Sequence, residues 1–474
     1  MRKTFVLNWS KNNQSKVNFS YPDFKKEGLA AFFPILDWVS NLTFLVFAVL
    51  VFFVKSTNLS SLIYVSATIL FAVQLMKTVL GGFSYFPKTK IDVGGLLFVA
   101  FSIVAILVSN TQEVSLFGEG KLSFLSGMSS FALLLISYSI IATSFLNGSY
   151  KFVKKAVGVS LVLLSFKLFV DRDGLLTKEI SSSFYLPIAL PILFFTLLQS
   201  KGLTKKIIIL LTLVATLFVT NFNDFSFSFS LMVSLMILFF ILLLGGSEFL
   251  YESIVKIGTG IGSMFKKKIS LIKFLKVSGS FLVGAIGFFV VFIISIIRTV
   301  ENFSNDFTRV LNVYKDVWAG FDGTKEIIFG KGLDSLSGSF YADVLNSFGI
   351  VGLVGFLLLV ILALIYVFKI LKKSYKEKNS RLSILLLGIL TSFLTLLIYL
   401  KLESVTIYGY LLLWFLLILI GTISTVEMYK NDAVLETVVG LKGAKRKTLF
   451  VILKLMGILI VAVVAIIFLY LILR

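Results

Sequence analysis

Long runs of apolar residues, each near the length needed to cross a lipid bilayer, recur along this 474-residue chain. A membrane-spanning helix needs about 20 such residues, and its internal hydrogen bonds satisfy the backbone groups that enter the bilayer. Hydrophobic residues make up 58% of the chain and charged residues 15%, against roughly 45–50% and about 25% in soluble domains. The sequence therefore predicts an all-α, polytopic integral membrane protein and excludes a soluble fold.

The apolar runs predict about 12–13 transmembrane helices. They lie at 33–54, 59–80, 94–109, 122–145, 156–170, 183–199, 206–221, 227–246, 277–297, 348–370, 382–400, 405–425 and 449–473. The spans divide the chain into a cytoplasmic N-terminal segment (1–30), transmembrane helices 1–9 (31–298), a large extracytoplasmic loop (299–347) and transmembrane helices 10–13 (348–474). A long loop that is neither repetitive nor purely polar is often functional, so this loop is where we expect the site.

The basic residues are unevenly distributed between the two sides of the predicted membrane. Lys and Arg number 45 and Asp and Glu 24, which gives a net charge of +21. With the N-terminus inside, most basic residues fall in inner segments, Lys77, Lys88 and Lys90 among them, and acidic residues are commoner outside. Basic segments stay on the cytoplasmic side during insertion. The charge therefore predicts a cytoplasmic (inner) membrane protein with a cytoplasmic N-terminus, in contact with membrane lipids and not with nucleic acid.

The chain contains no cysteine and no histidine. Disulfides, thiolate chemistry and a histidine base are thereby excluded. Any metal would have to be bound by oxygen ligands, and we predict neither a metal site nor a cofactor. Catalysis is left to carboxylates, Lys, Arg, Tyr and hydroxyl groups.

The outer loop opens with a stretch, 305–321, that predicts an amphipathic helix. Its apolar side chains recur at helical spacing, at Phe307, Val310, Leu311, Tyr314 and Trp318. Arg309 lies on the opposite face. Two interpretations stay open for it: a guanidinium that binds a phosphate at the membrane surface, or an ordinary surface ion pair with Asp306.

A second pattern follows this helix. Gly330-Lys331-Gly332 precedes a short polar stretch at 339–345, and Gly349-Ile350-Val351-Gly352 opens the next span. The order and spacing resemble the O-antigen ligase and O-antigen polymerase superfamily, whose members carry an arginine-bearing helix in a long outer loop, then a G-x-G segment, a polar motif and a G-[IL]-[IL]-G step. The matching residues, within about 300–360, are Arg309, Trp318, Gly330, Gly332, Tyr341, Gly349 and Gly352.

The resemblance implies metal-independent transfer of a glycan from a polyprenyl-diphosphate carrier to a glycan or lipid acceptor, on the outer face of the membrane. Arginines stabilise the charge that accumulates on the departing diphosphate. Arg309 is then the catalytic cation, with Arg298 and Arg172 as substrate-binding cations. Asp343, inside the polar motif, is the candidate to activate the acceptor hydroxyl.

The resemblance also makes Lys331 and Tyr341 candidates for substrate binding, and other glycan-assembly membrane proteins are possible partners. Alternatives remain for the other residues. Asp343 is alternatively an N-terminal helix cap, Arg298 an interfacial anchor of the ninth helix, and Arg172 the ion-pair partner of a neighbouring aspartate.

The chain also departs from the superfamily pattern. Ligases carry a histidine at the position that is Gly338 here, and the stretch 221–230 lacks the Ser-Arg pair found in many members. These departures favour a polymerase-like or divergent member and leave an inactive relative open. The alternative function is a flippase or secondary transporter of lipid-linked sugars. Such transporters place charged residues inside their spans, whereas the polar residues here concentrate in one outer loop.

Overall fold

The structure is a computed structural model of the chain. It describes residues 5–6, 32–51, 56–81, 83–84, 90–108, 126–170, 191–193, 207–209, 211–212, 225–245, 293, 296–297, 299, 307–332, 338–377, 379–403, 407–428 and 434–437. The helices with more than three consecutive described residues are α1 (Phe32–Leu50), α2 (Ser56–Gly81), α3 (Lys90–Val108), α4 (Gly127–Leu146), α5 (Lys151–Val170), α6 (Phe225–Gly245), α7 (307–319), α8 (Thr324–Phe329), α9 (Phe340–Lys376), α10 (Ser380–Leu402) and α11 (Ile407–Met428).

Five helices in the described part of the chain are long and apolar enough to cross a membrane: α2, α4, α9, α10 and α11. Two shorter apolar helices, Pro34–Leu50 and Gly94–Ile106, belong to α1 and α3. Helices α1–α6 and α9–α11 coincide with predicted spans. The predicted spans at 183–199, 206–221, 277–297 and 449–473 lie wholly or mostly outside the described residues. The fold is that of an α-helical membrane protein, as the sequence predicts.

Helix α9 begins earlier than the sequence predicts. It contains 37 residues and starts at Phe340, whereas the predicted span starts at 348. Gly349 interrupts its helical geometry with φ 65° and ψ −166°, a left-handed φ that glycine tolerates because it has no Cβ. The segment before this kink is mostly buried. The last part of the predicted loop is therefore a buried helical segment at the start of α9.

Three short strands connect distant parts of the chain: β1 (Phe5–Val6), β2 (Phe83–Ser84) and β3 (Val434–Thr437). They form a sheet in the order β1-β3-β2, with both pairings antiparallel. Strands this short leave no alternating pattern to detect in a sequence, so the sequence does not predict them. The sheet brings together three segments that the sequence places on the same side of the membrane.

Helices α3 and α9 pack closely through one glycine on each. A Cβ on Gly94 would lie 3.2 Å from the Cα of Leu359, and a Cβ on Gly355 would lie 3.1 Å from the Cα of Phe98. Small residues allow membrane helices to approach closely and gain van der Waals contact. These two glycines therefore position α9, whose first residues belong to the site described below.

Contacts between helix ends define two ends of the helix bundle. At one end, Glu403, directly after α10, accepts a hydrogen bond from Ser226 at the start of α6. At the other end, Lys77 late in α2 contacts Asp37 early in α1 and Thr143 late in α4. We call these the Glu403 end and the Lys77 end. Each gathers helix ends that the predicted spans place on one side of the membrane.

A buried ion pair lies among the helices at the Lys77 end. Lys77 Nζ lies 2.6 Å from Asp37 Oδ1, and the two side chains are 2% and 10% exposed. The ammonium also donates to Thr143 Oγ1 at 2.9 Å and to Ser40 Oγ at 3.4 Å. The sequence places Lys77 among the charges of the inner segments, whereas the structure buries its ammonium inside the bundle. Lys77 lies inside the bundle because these polar groups on α1 and α4 satisfy its ammonium.

Replacing Lys77 with Met should lower the free energy of unfolding by about 3–5 kcal/mol, because the Asp37 carboxylate would stay buried without its counter-ion. The double variant Lys77→Met/Asp37→Asn removes both charges and should recover most of this loss. Lys151→Met, at an exposed position, is the matched control. Thermal unfolding of the purified proteins in detergent measures the effect. A single variant as stable as the parent would show that the pair does not stabilise the fold.

Candidate functional site

A guanidinium and a carboxylate from distant parts of the sequence meet at the Glu403 end. Arg309 Nη2, on α7, lies 2.5 Å from Glu403 Oε1. The Arg309 side chain is 54% exposed and that of Glu403 26% exposed. Asp306, the partner considered for Arg309 from the sequence, lies outside the described residues. An ion pair this exposed contributes at most about 1 kcal/mol, so a more highly charged anion that binds two guanidinium nitrogens competes with Glu403.

Glu403 is held in place independently of Arg309. Ser226 Oγ donates to Glu403 Oε1 at 2.8 Å. The Glu403 N–H donates to the carbonyl of Tyr399 at 3.0 Å, and the Glu403 carbonyl accepts from the N–H of Phe340 at 2.9 Å. These bonds tie the carboxylate to α6, α10 and the start of α9. The carboxylate therefore stays in position if the guanidinium moves to another anion.

Tyr314 connects α7 to the ends of α9 and α10. Its hydroxyl lies 3.0 Å from Ser339 Oγ and donates to the carbonyl of Lys401 at 3.3 Å. Burial raises the pKa of Tyr314 above the ordinary value of 10.0; the hydrogen bond with Ser339 opposes this, and the charge of Asp343 adds to it. The phenol is therefore protonated at neutral pH. It holds α7 across the end of the bundle, within two turns of Arg309.

Asp343 lies in the protein interior. It is 1% exposed and belongs to the first turn of α9, where its N–H donates to the carbonyl of Ser339 at 2.7 Å. The N-cap of α9 is Ser339 and not Asp343, so Asp343 is not the N-terminal cap considered from the sequence. A carboxylate in the first turn is nevertheless stabilised by the positive end of the helix dipole. An acceptor hydroxyl reaches this carboxylate only if the surrounding segments move. Its role as a base remains a prediction.

The side chain of Lys331 is engaged within its own loop. Its ammonium donates to the carbonyl of Gly320, lies 3.7 Å from Glu326 Oε2 and stands 5.9 Å from the ring centre of Phe321. A lysine near a helix C-terminus satisfies carbonyl groups there and interacts favourably with the dipole. These contacts favour a structural role for Lys331, in closing the connection after α7, over the predicted role in substrate binding.

The two glycine motifs found in the sequence meet in the structure. Gly330 has φ 78° and Gly349 has φ 65°. A Cβ on Gly330 would lie 2.5 Å from the carbonyl carbon of Ser347, and a Cβ on Gly349 would lie 2.3 Å from the carbonyl oxygen of Ile328. The N–H of Lys331 donates to the carbonyl of Asn346 at 2.7 Å, and the N–H of Gly332 donates to the carbonyl of Ser347 at 3.3 Å. Both glycines are needed because one backbone packs directly on another.

The remaining predicted residues are placed as follows. Tyr341 is partly buried against the core, with its ring centre 5.5 Å from that of Phe356 and 6.3 Å from that of Phe340. Arg172 and Arg298 lie outside the described residues. In the described part of the chain, no group of three or more His, Cys, Asp or Glu residues is arranged to hold a metal ion.

Glu403 and Ser226 are not among the site residues that the sequence predicts. Glu403 lies in the short connection between the predicted spans at 382–400 and 405–425, beside Lys401. Its only signal is a carboxylate at the predicted outer end of a span. Ser226 lies in the stretch 221–230, which lacks the Ser-Arg pair, and a single serine there is not distinctive. Only the folded structure brings these side chains to Arg309.

The fold and the site define an α-helical membrane protein with an ion-paired polar site at one end of its bundle. No protein-family model matches the chain, and no curated protein and no solved structure is significantly similar to it. The resemblance to the O-antigen ligase and polymerase superfamily therefore remains an interpretation of the motif residues.

Proposed function

We propose that this chain is a membrane glycosyltransferase that polymerises or ligates polyprenyl-diphosphate-linked glycans on the outer face of the cytoplasmic membrane. The observation that carries the proposal is the exposed Arg309–Glu403 pair at the end of the helix bundle. The polyprenyl chain of such a donor remains in the bilayer, so its diphosphate lies at the membrane surface. An arginine at that level has the charge and planar geometry to bind it.

Arg309 acts on the leaving group. The transfer breaks the bond between the anomeric carbon of the donor sugar and the diphosphate oxygen, and negative charge accumulates on the diphosphate. A well-placed donor that stabilises such charge contributes about 10²–10³-fold in rate. The diphosphate displaces Glu403 from Arg309 at a cost of at most about 1 kcal/mol, because the pair is exposed.

A carboxylate accepts the proton of the acceptor hydroxyl as the new glycosidic bond forms. Asp343 is the candidate from the motif, but it is 1% exposed. Glu403 is more accessible, at 26% side-chain exposure, and Ser226 holds it in place. Once Arg309 binds the diphosphate, Glu403 is left as a carboxylate next to the leaving group. Glu403 is therefore a second candidate for the base.

A deletion strain tests the proposal. We expect shortened or absent surface glycans, and lipid-linked donor accumulating on the outer face of the membrane, where an impermeant glycosidase can cleave it. The wild-type gene supplied in trans should restore both. Unchanged surface glycans and no accumulated donor would contradict the proposal.

One observation favours the second candidate, a flippase or secondary transporter of lipid-linked sugars. Asp37 and Lys77 form a buried ion pair inside the bundle. Transporters place charged residues of this kind along their substrate path. A flippase predicts that donor accumulates on the cytoplasmic face in the deletion strain, protected from the impermeant glycosidase. It also predicts that Lys77→Met/Asp37→Asn loses function at normal abundance, whereas the polymerase proposal predicts that this variant keeps it.

A further inference from the structure

Helix α7 exposes large apolar side chains next to its buried face. Val310 and Val317 are buried, whereas Phe307, Leu311 and Trp318 are 40%, 46% and 54% exposed. The exposed positions are four and seven residues apart, so at 3.6 residues per turn they lie on one side of the helix. We call Phe307, Leu311 and Trp318 the α7 stripe.

Contacts at the end of α10 set the level of α7 on the bundle. Tyr314 donates to the carbonyl of Lys401, and Arg309 pairs with Glu403, the residue directly after α10. Helix α10 is long and apolar enough to cross a membrane, and its apolar segment ends at Leu402. Helix α7 therefore lies at the level where a membrane-spanning helix leaves the hydrocarbon. Tryptophan is enriched at this level, and amphipathic helices bury their apolar face there.

The exposed side of α9 also indicates that α7 lies where a membrane-spanning helix leaves the hydrocarbon. Large apolar side chains there are exposed at helical spacing, from just after the kink towards the Lys77 end: Ile350, Val354, Leu357, Ile361, Ile365 and Phe368. At 1.5 Å per residue this surface is about 27 Å long, close to the ~30 Å hydrocarbon core of a bilayer. It begins beside Gly349, which packs on Ile328 of α8. A lipid-facing surface thus starts at the loop that carries α7.

A positive charge borders the α7 stripe. Lys315 is exposed and lies four residues after Leu311, so its ammonium is at the edge of the apolar side chains. Lysines in this position extend along apolar surface and place their charge at lipid phosphates.

We propose that the α7 stripe docks into the headgroup and upper acyl region of the leaflet at the Glu403 end, with phospholipid as its partner. The docking holds Arg309 at the level of the lipid phosphates. The inference rests on the exposure and level of α7, and it stands whether or not the chain is a glycosyltransferase.

The four tryptophans of the chain provide the test. A variant that keeps only Trp318 (Trp9→Phe, Trp38→Phe, Trp414→Phe) is reconstituted in vesicles of phosphatidylcholine and phosphatidylglycerol. Phospholipids brominated near the headgroup should quench most of its fluorescence, and aqueous acrylamide should quench little. The matched control keeps only Trp414, which is 3% exposed, and should respond to neither quencher.

Two results would overturn the proposal. Quenching of Trp318 by acrylamide and not by brominated lipid would place the stripe in water. Protection from both quenchers would show that protein covers it, either a second copy or another chain. Nitroxide labels provide a second measurement because the chain has no cysteine. A nitroxide label at Leu311→Cys should be relaxed more by oxygen than by a water-soluble nickel complex. A label at Asn312→Cys, on the other side of α7, should show the opposite order.

Discussion

Arg309→Ala is expected to lower glycan transfer by roughly 10²–10³-fold, while the protein keeps its normal abundance in the membrane. The guanidinium is 54% exposed and its pair with Glu403 is a surface ion pair, so its removal costs little stability. Under the proposed function it removes the group that stabilises the departing diphosphate. Transfer from a purified lipid-linked donor and the chain length of surface glycans measure the effect.

Two matched variants separate charge from geometry. Arg309→Lys keeps the positive charge but loses the planar fork that binds two phosphate oxygens, so its activity should fall between the parent and Arg309→Ala. Glu403→Gln removes the competitor for Arg309 and should tighten binding of inorganic pyrophosphate by up to about fivefold, the equivalent of about 1 kcal/mol. Wild-type transfer in Arg309→Ala, or loss of that protein from the membrane, would assign Arg309 a structural role.

Gly349→Ala is expected to abolish most of the folded protein. The residue has φ 65°, and a Cβ there would lie 2.3 Å from the carbonyl oxygen of Ile328. A left-handed conformation at a non-glycine residue costs about 1–3 kcal/mol, and the clash adds to this because the opposing atom belongs to the backbone. The yield of monodisperse protein in detergent and its thermal unfolding temperature measure the loss.

Gly158→Ala is the control for this prediction. Gly158 lies inside α5, and a Cβ built on it meets no atom within 4 Å. Alanine is favoured over glycine inside a helix by about 1 kcal/mol, so this variant should be as stable as the parent or more stable. Equal stability of Gly349→Ala and Gly158→Ala would contradict the close packing of the two glycine segments.

The membrane-spanning helices could be predicted because their signal is local. An apolar run of sufficient length must satisfy its own backbone hydrogen bonds in lipid, whichever helices surround it. The signal of α7 is also local, because its apolar side chains recur at helical spacing. The sequence predicts this helix at 305–321, and the structure describes helix over 307–319. The start of α9 was less predictable. Residues 340–348 are polar enough to resemble a loop, and the protein interior buries them as helix.

The partners of the charged side chains were not predictable in this way. The sequence suggests Asp306, three residues away and outside the described residues, as an ion-pair partner of Arg309. The structure adds Glu403, 94 residues away, which the sequence did not suggest. The sequence places Lys77 among the charges of the inner segments, whereas the structure pairs it with Asp37 inside the bundle. Both ion pairs depend on which helix ends lie next to each other, and no local sequence pattern indicates this.

The sequence by itself determined that this protein is built from apolar helices. It also determined where most of the helices in the described part lie, because entry into a bilayer depends on the composition of one continuous segment. Tertiary structure alone decided which side chains form the polar site. Helices α6, α7, α9 and α10 bring Ser226, Arg309 and Glu403 together at one end of the bundle. The glycines at 330 and 349 depend on the same packing, since each has a positive φ and has the backbone of another segment against it.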